Sequence, residues 1–273
     1  MAFFHKKSPW EIEWADLAKR EAKFAAKRRE GPTSVLVQKL DRFVPDKLSG
    51  TLNAAFLKAF EIIFEKGTGV IEKTYNKGKR ETDFKVNTYA AQVREDRKTV
   101  RNFTKQAKSA KSLNLAIASI EGIGLGFVGG IPDIPLFIAM VLKSVYEIAL
   151  SYGYSYDTDE EKIFILKVIE AAMCDEEAFR EKNEALNEDI HQITLAGDSM
   201  PEGSWKVSKA EQMRATSACL SQEMIYTKFL QGQFVIGIAG GIFDPIYVNR
   251  ISDYAVLKYR RRFLESKKSG FTG

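Results

Sequence analysis

Three acidic residues stand in or beside the most apolar stretches of the sequence, and their carboxylates are the groups best suited to chemistry. Glu121 lies within an apolar run, while Asp133 and Asp244 each stand one residue beyond a Gly-Gly-Ile tripeptide. Carboxylates that converge on one site bind hard cations or act as acids and bases in hydrolysis. A hydrolase or metal-dependent enzyme using Asp133, Asp244 and Glu121 is therefore one hypothesis, although no ligand spacing in the sequence requires these residues to meet.

The two Gly-Gly-Ile segments repeat one pattern, at residues 129–133 and 240–244. Paired glycines permit positive φ angles and close backbone approach where a helix ends. The aspartate can then cap the following helix, with Pro135 or Pro245 in its first turn. We therefore predict two neighbouring helical turns, with capping as the simpler role of both aspartates. As a ligand site, these turns would contribute Glu121, Gly129, Gly130, Pro132, Asp133, Gly240, Gly241, Asp244 and Pro245.

Other catalytic motifs are weak in this sequence. Residues 124–129 read as GxGxxG, but Pro132 and Pro135 fall where a nucleotide-binding helix would have to continue. The two histidines, His5 and His191, stand near the terminus and on a charged segment, which makes a serine or cysteine charge-relay site improbable. We assign no catalytic residue, no cofactor and no metal ligand from these patterns.

The composition favours an all-α protein. The chain has 273 residues, of which 45% are hydrophobic, so it can bury a substantial core. Long segments rich in Ala, Leu, Lys, Glu and Gln favour helices, and no sustained run of alternating β-branched residues indicates a sheet. Cys174 and Cys219 occur in separate predicted helices without a metal-binding spacing. This arrangement indicates reduced, buried thiols.

The net charge of +5 hides a strong asymmetry along the chain. Residues 1–111 carry 25 Lys and Arg against 14 Asp and Glu, residues 112–198 carry 5 against 16, and residues 199–273 carry 11 against 6. These regions attract one another inside the fold, or the basic ones meet an anionic membrane or an acidic partner. No recognisable DNA-binding or RNA-binding motif accompanies them, so we predict no specific nucleic-acid partner. The expected anionic-surface residues are Lys27, Arg28, Arg29, Lys258, Arg260, Arg261 and Arg262.

The N-terminal segment predicts an amphipathic helix within residues 1–32. Ser8 and Glu11 form a capping box around Pro9, and Trp10 and Trp14 then fall on one helical face. The tryptophan stripe either packs on the rest of the protein or contacts a membrane. The first residues lack the apolar region of a secretory signal, so we expect a cytoplasmic protein. Further capping boxes begin at Thr158 and Ser208.

Residues 112–154 are apolar on both sides of the first Gly-Gly turn and predict a helical hairpin. Each arm is about 17–19 residues, or about 25–28 Å, close to the hydrocarbon core of a bilayer. Charged residues interrupt both arms, which favours a buried core hairpin over a spanning one, with a re-entrant hairpin as the alternative. The residues expected to be inaccessible are Leu136, Ile138, Met140, Val141 and Val145. Residues 83–111 are expected to form a long surface helix, with a segment that is partly loop as the alternative.

The segment Gly129-Gly130-Ile131-Pro132-Asp133-Ile134-Pro135, the apolar helix after it, Tyr152-Gly153-Tyr154 and the acidic turn at 157–161 together resemble the bacterial EcsC family. The early Trp10-Glu11 helix and the second Gly-rich turn are similar to that family as well. The resemblance implies a single helical domain over residues 1–273 and a protein encoded beside an ABC transporter. It implies no catalytic residues. Phe243 replaces the proline of the first turn, so the two turns need not share one function.

These observations lead to one main hypothesis for function. We expect a multi-helix domain around two Gly-Gly-Ile-x-Asp turns, comprising the N-terminal helix, the central hairpin and a basic C-terminal segment over residues 233–268. This protein would be a non-enzymatic accessory factor, cytoplasmic or peripheral at the inner face of the membrane. Its partner would be a lipid-like ligand, the bilayer surface or subunits of a membrane transporter.

Overall fold

The described part of the chain is helical throughout. The computed structural model describes residues 7–29, 46–110, 133–197, 200, 203–230 and 245–269, and these contain no strand. The all-α prediction is confirmed. The helices are α1 (Pro9–Arg29), α2 (Asp46–Ile62), a π-helical turn (Ile63–Gly67), α3 (Thr68–Glu72), α4 (Lys77–Arg94), α5 (Arg97–Ser109), α6 (Asp133–Ser151), α7 (Asp159–Met173), α8 (Glu176–Leu195), α9 (Lys209–Leu230) and α10 (Pro245–Ser269).

The predicted capping boxes set where α1 and α9 begin. At α1 the Ser8 amide donates to Glu11 Oε2 at 2.6 Å, and the Glu11 amide donates to Ser8 Oγ at 3.2 Å. Ser208 and Glu211 exchange the same pair of bonds at 2.8 and 3.2 Å before α9. At α7 the Glu161 amide donates to Thr158 Oγ1 at 3.2 Å. These bonds satisfy amides that a helix N-terminus leaves without partners, and all three predicted helix starts are confirmed.

The prediction of one long helix over residues 83–111 is wrong. The chain forms two helices, α4 and α5, because Glu95 adopts a left-handed conformation with φ of 44° and ends α4. Asp96 then caps α5 by accepting from the Thr99 amide at 2.8 Å. The resulting hairpin is antiparallel, since Arg80 contacts Ser109 while Asn87 contacts Gln106. An aspartate that competes for helix amides is the local signal for this break.

Helix α6 forms the centre of the fold. Ile138, Met140, Val141 and Val145 are buried as predicted, whereas Leu136 is only partly covered. The segment Ile134–Ser151 is long and apolar enough to cross a membrane, but 89% of it is buried among the surrounding helices. Its apolar surface is therefore satisfied within the protein, as in the core helix of a globular domain.

Two long helices run in the same direction at the core. Ser144 of α6 and Ser252 of α10 form a hydrogen bond of 2.7 Å, and the rings of Tyr152 and Phe263 lie 5.7 Å apart further along both helices. Helix α1 packs antiparallel on α10, with Trp10 6.1 Å from Phe263 at one end. The parallel pairing means that α6 and α10 begin at the same end of the bundle.

Candidate functional site

The predicted turns flank the start of α6 and α10. Helix α10 begins at Pro245, so this proline occupies the first turn as expected. Helix α6 begins at Asp133, of which only the backbone is described. The chain therefore enters both helices at one end of the bundle, while the convergence of the two turns stays a prediction. The other proposed ligand-site residues lie outside the described residues: Glu121, Gly129, Gly130, Pro132, Gly240, Gly241 and Asp244.

The basic run of α10 is not a solvent-facing surface, so that part of the sequence-based prediction is wrong. Lys258, Arg260 and Arg262 expose 0%, 2% and 1% of their surface. The side chain of Arg261 is largely covered as well. Paired cations can occupy an interior position when carboxylates meet them.

The carboxylates that meet α10 come mainly from α1. Arg260 donates to Glu13 Oε2 at 2.5 Å and to Asp16 Oδ2 at 2.9 Å. Lys258 donates to Glu21 at 3.1 Å, and Arg261 binds the same carboxylate. Internal attraction therefore explains the basic tail, and three of its acidic partners belong to the N-terminal helix rather than to the acidic middle of the chain.

Arg262 of α10 contacts α7 rather than α1. Its Nη1 donates to both oxygens of Glu161, at 2.9 and 3.1 Å, and its guanidinium lies 4.0 Å from the centre of the Tyr154 ring. The Glu161 amide thus donates to the capping residue of α7, while the Glu161 carboxylate accepts from Arg262 of α10. A buried cation with a bidentate partner and an aromatic face is well satisfied.

Burial and ion pairing shift the pKa values of this interface. Burial raises the pKa of Asp16, but hydrogen bonds from Arg20 and Arg260 outweigh it and lower that pKa to about 2. Burial also raises the pKa of Glu21. The interactions with Arg261 and Lys258 outweigh burial and lower that pKa. Burial lowers the pKa of Lys258 to about 8, against the attraction of Glu21. At neutral pH the interface is therefore an array of opposite charges.

The tryptophan stripe of α1 packs on the protein. Trp10 lies against Phe263, and the Arg261 guanidinium lies 5.3 Å from the centre of the Trp14 ring. Both tryptophans contact the hydrophobic core. Of the expected anionic-surface residues at the end of α1, Lys27 is exposed, and the side chains of Arg28 and Arg29 lie outside the described residues.

A hydrogen-bonded tyrosine cluster joins the segment after α6 to α3, and sequence reasoning did not find it. Tyr156 donates to Glu72 at 2.6 Å and its hydroxyl lies 2.5 Å from that of Tyr75. Its ring stacks on Tyr146 at 4.0 Å. Burial, followed by these bonds to Glu72 and Tyr75, raises the pKa of Tyr156, so the phenol stays protonated. Its partners are 81 and 84 residues away in sequence, which no local pattern reveals.

A second buried polar group lies on α6 itself. Glu147 accepts from Lys143 at 2.6 Å and from Arg80 of α4. Both α6 side chains are nearly inaccessible. The charges that interrupt the apolar helix are thus paired with each other and with α4, which fixes the position of the α4–α5 hairpin on the core.

The outer surface of that hairpin carries an exposed apolar stripe. Val86, Tyr89 and Val93 of α4 are 60%, 69% and 63% exposed. Their spacing of three and four residues places them on one helical face, opposite the face where Phe84 packs against Phe103. Large apolar side chains on the outward face of a helix mark an interaction surface when they are contiguous.

Cations surround this stripe. Between Lys77 and Ser109 the chain carries ten Lys and Arg against four Asp and Glu. Five of the cations are exposed and form no ion pair with any described residue: Lys79, Lys85, Lys98, Arg101 and Lys105. We call these five cations together with Val86, Tyr89 and Val93 the basic hairpin face.

A groove of about 260 Å³ borders this face. Trp10, Phe103 and Phe263 form its apolar floor, and Ala91 of α4 forms part of its wall. Lys267 stands at the rim, with Nζ 5.4 Å from the centre of the Phe263 ring. In the part of the chain that the structure describes, no three His, Cys, Asp or Glu residues are grouped to hold a metal ion.

Comparisons with known proteins give one match. The model of the EcsC protein family matches residues 11–264, which is nearly the whole chain. No curated protein and no solved structure was found to match. The match begins within α1 and ends within α10, so it includes both helices of the buried ion-pair interface and the basic hairpin face.

Proposed function

We propose that this chain, which belongs to the EcsC protein family, is a non-enzymatic protein that attaches peripherally to an anionic membrane surface through the basic hairpin face. The observation that carries the proposal is the exposure of Val86, Tyr89 and Val93 beside exposed cations that form no ion pair with the described residues. The expected location is the inner face of the membrane, where anionic lipid is available.

The chemistry of the face suits a lipid interface. Cations near an anionic bilayer contribute about 1 kcal/mol each, and an amphipathic helix adds the burial of its apolar side chains at the headgroup boundary. Tyrosine is favoured at this depth because its ring is apolar and its hydroxyl is polar. Attachment of this kind is reversible and weakens with salt, since the Debye length is about 8 Å at physiological ionic strength.

Nucleic acid is the competing partner for a cationic surface. Phosphate groups would meet the five cations equally well, but they offer nothing to two exposed valines. An anionic bilayer binds both the cations and the apolar side chains of the face, through its headgroups and its hydrocarbon respectively. An ABC transporter subunit, the partner that the family resemblance implies, would be reached at the same membrane. The alternative of a carboxylate enzyme has no supporting contact, because the side chains of Glu121, Asp133 and Asp244 lie outside the described residues.

Vesicle flotation tests the proposal. The full chain is mixed with vesicles of phosphatidylcholine alone or with added phosphatidylglycerol, at low and physiological salt. We expect flotation with the anionic vesicles only, and a reduction of about tenfold or more for K98E/R101E/K105E, because three favourable contacts become repulsive. V86S/Y89S/V93S should weaken flotation at unchanged net charge.

A matched control separates this surface from total charge. R180E/K206E/R214E makes the same charge change at exposed positions of α8, the loop before α9, and α9 itself. It should float like the unaltered chain. Equal loss in both triple variants, or full binding by V86S/Y89S/V93S together with binding of single-stranded DNA, would overturn the assignment of this face to lipid.

A further inference from the structure

The two cysteines of the chain meet across the interface of α7 and α9. The Cys174 thiol donates to the Ala171 carbonyl at 3.3 Å, and the Cys219 thiol donates to the Glu170 carbonyl at 3.4 Å. These two carbonyls are adjacent in the last turn of α7. Both thiols therefore lie at the same turn of α7, and both cysteines line one pocket. We call Cys174 and Cys219 the thiol pair.

Solvent reaches the thiol pair through a pocket. The pocket has a volume of about 210 Å³ and lies between α7, α8 and α9, with Lys182 and Glu223 on its walls. Cys219 is partly exposed, whereas Cys174 is buried at the end of α7. A small, uncharged oxidant can therefore reach the Cys219 sulfur first, and Cys174 stands behind it as the second thiol.

We propose that the thiol pair is a reversible redox site, in which hydrogen peroxide or a small organic peroxide closes a disulfide between Cys174 and Cys219. The Cys219 thiolate attacks one peroxide oxygen, an S–O bond forms, the O–O bond breaks, and water or an alcohol leaves after taking a proton. The Cys174 sulfur then attacks Cys219, the S–S bond forms and the S–O bond breaks. The Cys174 proton leaves with the hydroxyl as water, and the two sulfurs have given two electrons to the peroxide.

The surroundings of the pair favour a disulfide over a metal site. The described residues hold no group of three His, Cys, Asp or Glu that could complete the coordination of a metal ion. Two thiols that are bound to adjacent carbonyls of one helical turn can reach disulfide geometry by a small adjustment of their side chains. The reaction is slow at neutral pH, because the neighbouring thiol, burial and the charges of Glu170 and Glu223 raise the pKa of Cys219. Asp175 and Lys182 complete the set of charged groups around the pocket.

The disulfide would join the end of α7 to the middle of α9. Residues 175–218 then form a closed loop that includes all of α8 and the loop before α9. Closing a loop of this length reduces the freedom of the unfolded chain, and we expect the Tm of the oxidised protein to rise by about 5 °C. This reaction does not depend on membrane attachment.

Oxidation of the purified, fully reduced chain tests the proposal. After treatment with millimolar hydrogen peroxide, the intact mass should fall by about 2 Da, both thiols should become unreactive in denaturant, and dithiothreitol should restore them. C174S and C219S should each keep a mass without this loss, because the second sulfur is missing. A chain that retains two reactive thiols, or that gains only oxygen atoms as the single variants do, would refute the site.

A second measurement keeps the test valid if a serine variant folds poorly. Diamide treatment of the unaltered chain, followed by proteolysis without reductant, should yield one linked peptide pair that contains residues 174 and 219. Linked pairs found only between different molecules would equally refute an intramolecular disulfide.

Discussion

Arg260 near the C-terminus donates to the carboxylate of Glu13 near the N-terminus at 2.5 Å, with both side chains almost completely buried. Both charges have lost most of their hydration, and their attraction offsets part of that loss, together with the bond of Glu13 to Arg97. The guanidinium of Arg260 also donates to the Asp16 carboxylate and to the Glu13 carbonyl. This contact makes α1 an integral part of the core and gives the basic tail a structural role.

Replacing Arg260 by Met should lower the free energy of unfolding by about 3–5 kcal/mol, because the buried Glu13 carboxylate would keep only its bond to the half-exposed Arg97. Urea unfolding followed by circular dichroism measures the loss. R260M/E13M should recover a large part of it. Arg214→Met, at an exposed position, should change stability by less than about 0.5 kcal/mol. An equally small effect at Arg260 would contradict the buried pair.

Acid should weaken the interface of α1 with α10. The folded pKa values of Asp16 and Glu21 are below their ordinary values, and that of Asp16 is about 2. Their contribution is therefore complete above the unfolded pKa values, near 4, and is lost as pH falls through the folded ones. Urea midpoints between pH 6 and 2 should show this decline. The variant D16N should show a shallower decline, and a parallel curve would argue against the pKa shift of Asp16.

Lys258 should give the opposite dependence in mild alkali. Its pKa is lowered to about 8, so between that value and about 10.4 the unfolded chain binds a proton that the folded chain does not. Stability from this group therefore rises with pH, by up to roughly 3 kcal/mol over the full range. Lys258→Met should remove the rise between pH 7.5 and 9.5, whereas Lys105→Met should keep it.

Gly153 should tolerate no side chain. Its φ is +84°, and a Cβ there would lie 2.3 Å from the Phe84 ring. Gly153→Ala should cost more than about 2 kcal/mol, since strain and a clash add together. Gly197 offers a matched control, because its φ is +88° but a Cβ would meet nothing within 4 Å. Gly197→Ala should cost only about 1 kcal/mol. Equal losses at both positions would show that Phe84 moves aside.

The basic hairpin face should contribute little to folding. Val86, Tyr89 and Val93 are exposed, so V86S/Y89S/V93S should shift the free energy of unfolding by less than about 1 kcal/mol. The same variant is expected to float poorly with anionic vesicles. A large loss of stability would instead show that these residues pack within the fold, and the flotation result would then have no bearing on lipid.

Local patterns predicted much of the helical framework. The capping box at Ser8 and Glu11 placed the start of α1, and the apolar run before Ser151 identified the central helix. These signals succeed because capping and burial of one helix depend on residues a few positions apart. The break between α4 and α5 was missed, since Glu95 is an ordinary helix former and its left-handed conformation has no strong sequence signal.

Long-range pairing accounts for the main error at the candidate site. The run from Lys258 to Arg262 has the composition of a surface segment, and only its distant partners show otherwise. Glu13 and Glu21 are separated from them by more than two hundred residues. Totals of charged residues over segments of the chain cannot identify such partners, because a total does not show which residues pair. The exposed stripe at Tyr89 was missed for a related reason: the sequence does not show which face of α4 packs on the rest of the fold.

The packing of α1 on α10 also sets an order of events during synthesis. Glu13 leaves the ribosome 247 residues ahead of Arg260, so α1 forms its ion pairs with α10 only after that helix has been made. The helices from α2 to α9 emerge in between, and Arg97 of α5 is the first of them to offer Glu13 a partner. A nascent protein halted before Arg260 would therefore carry α1 without its contacts to α10.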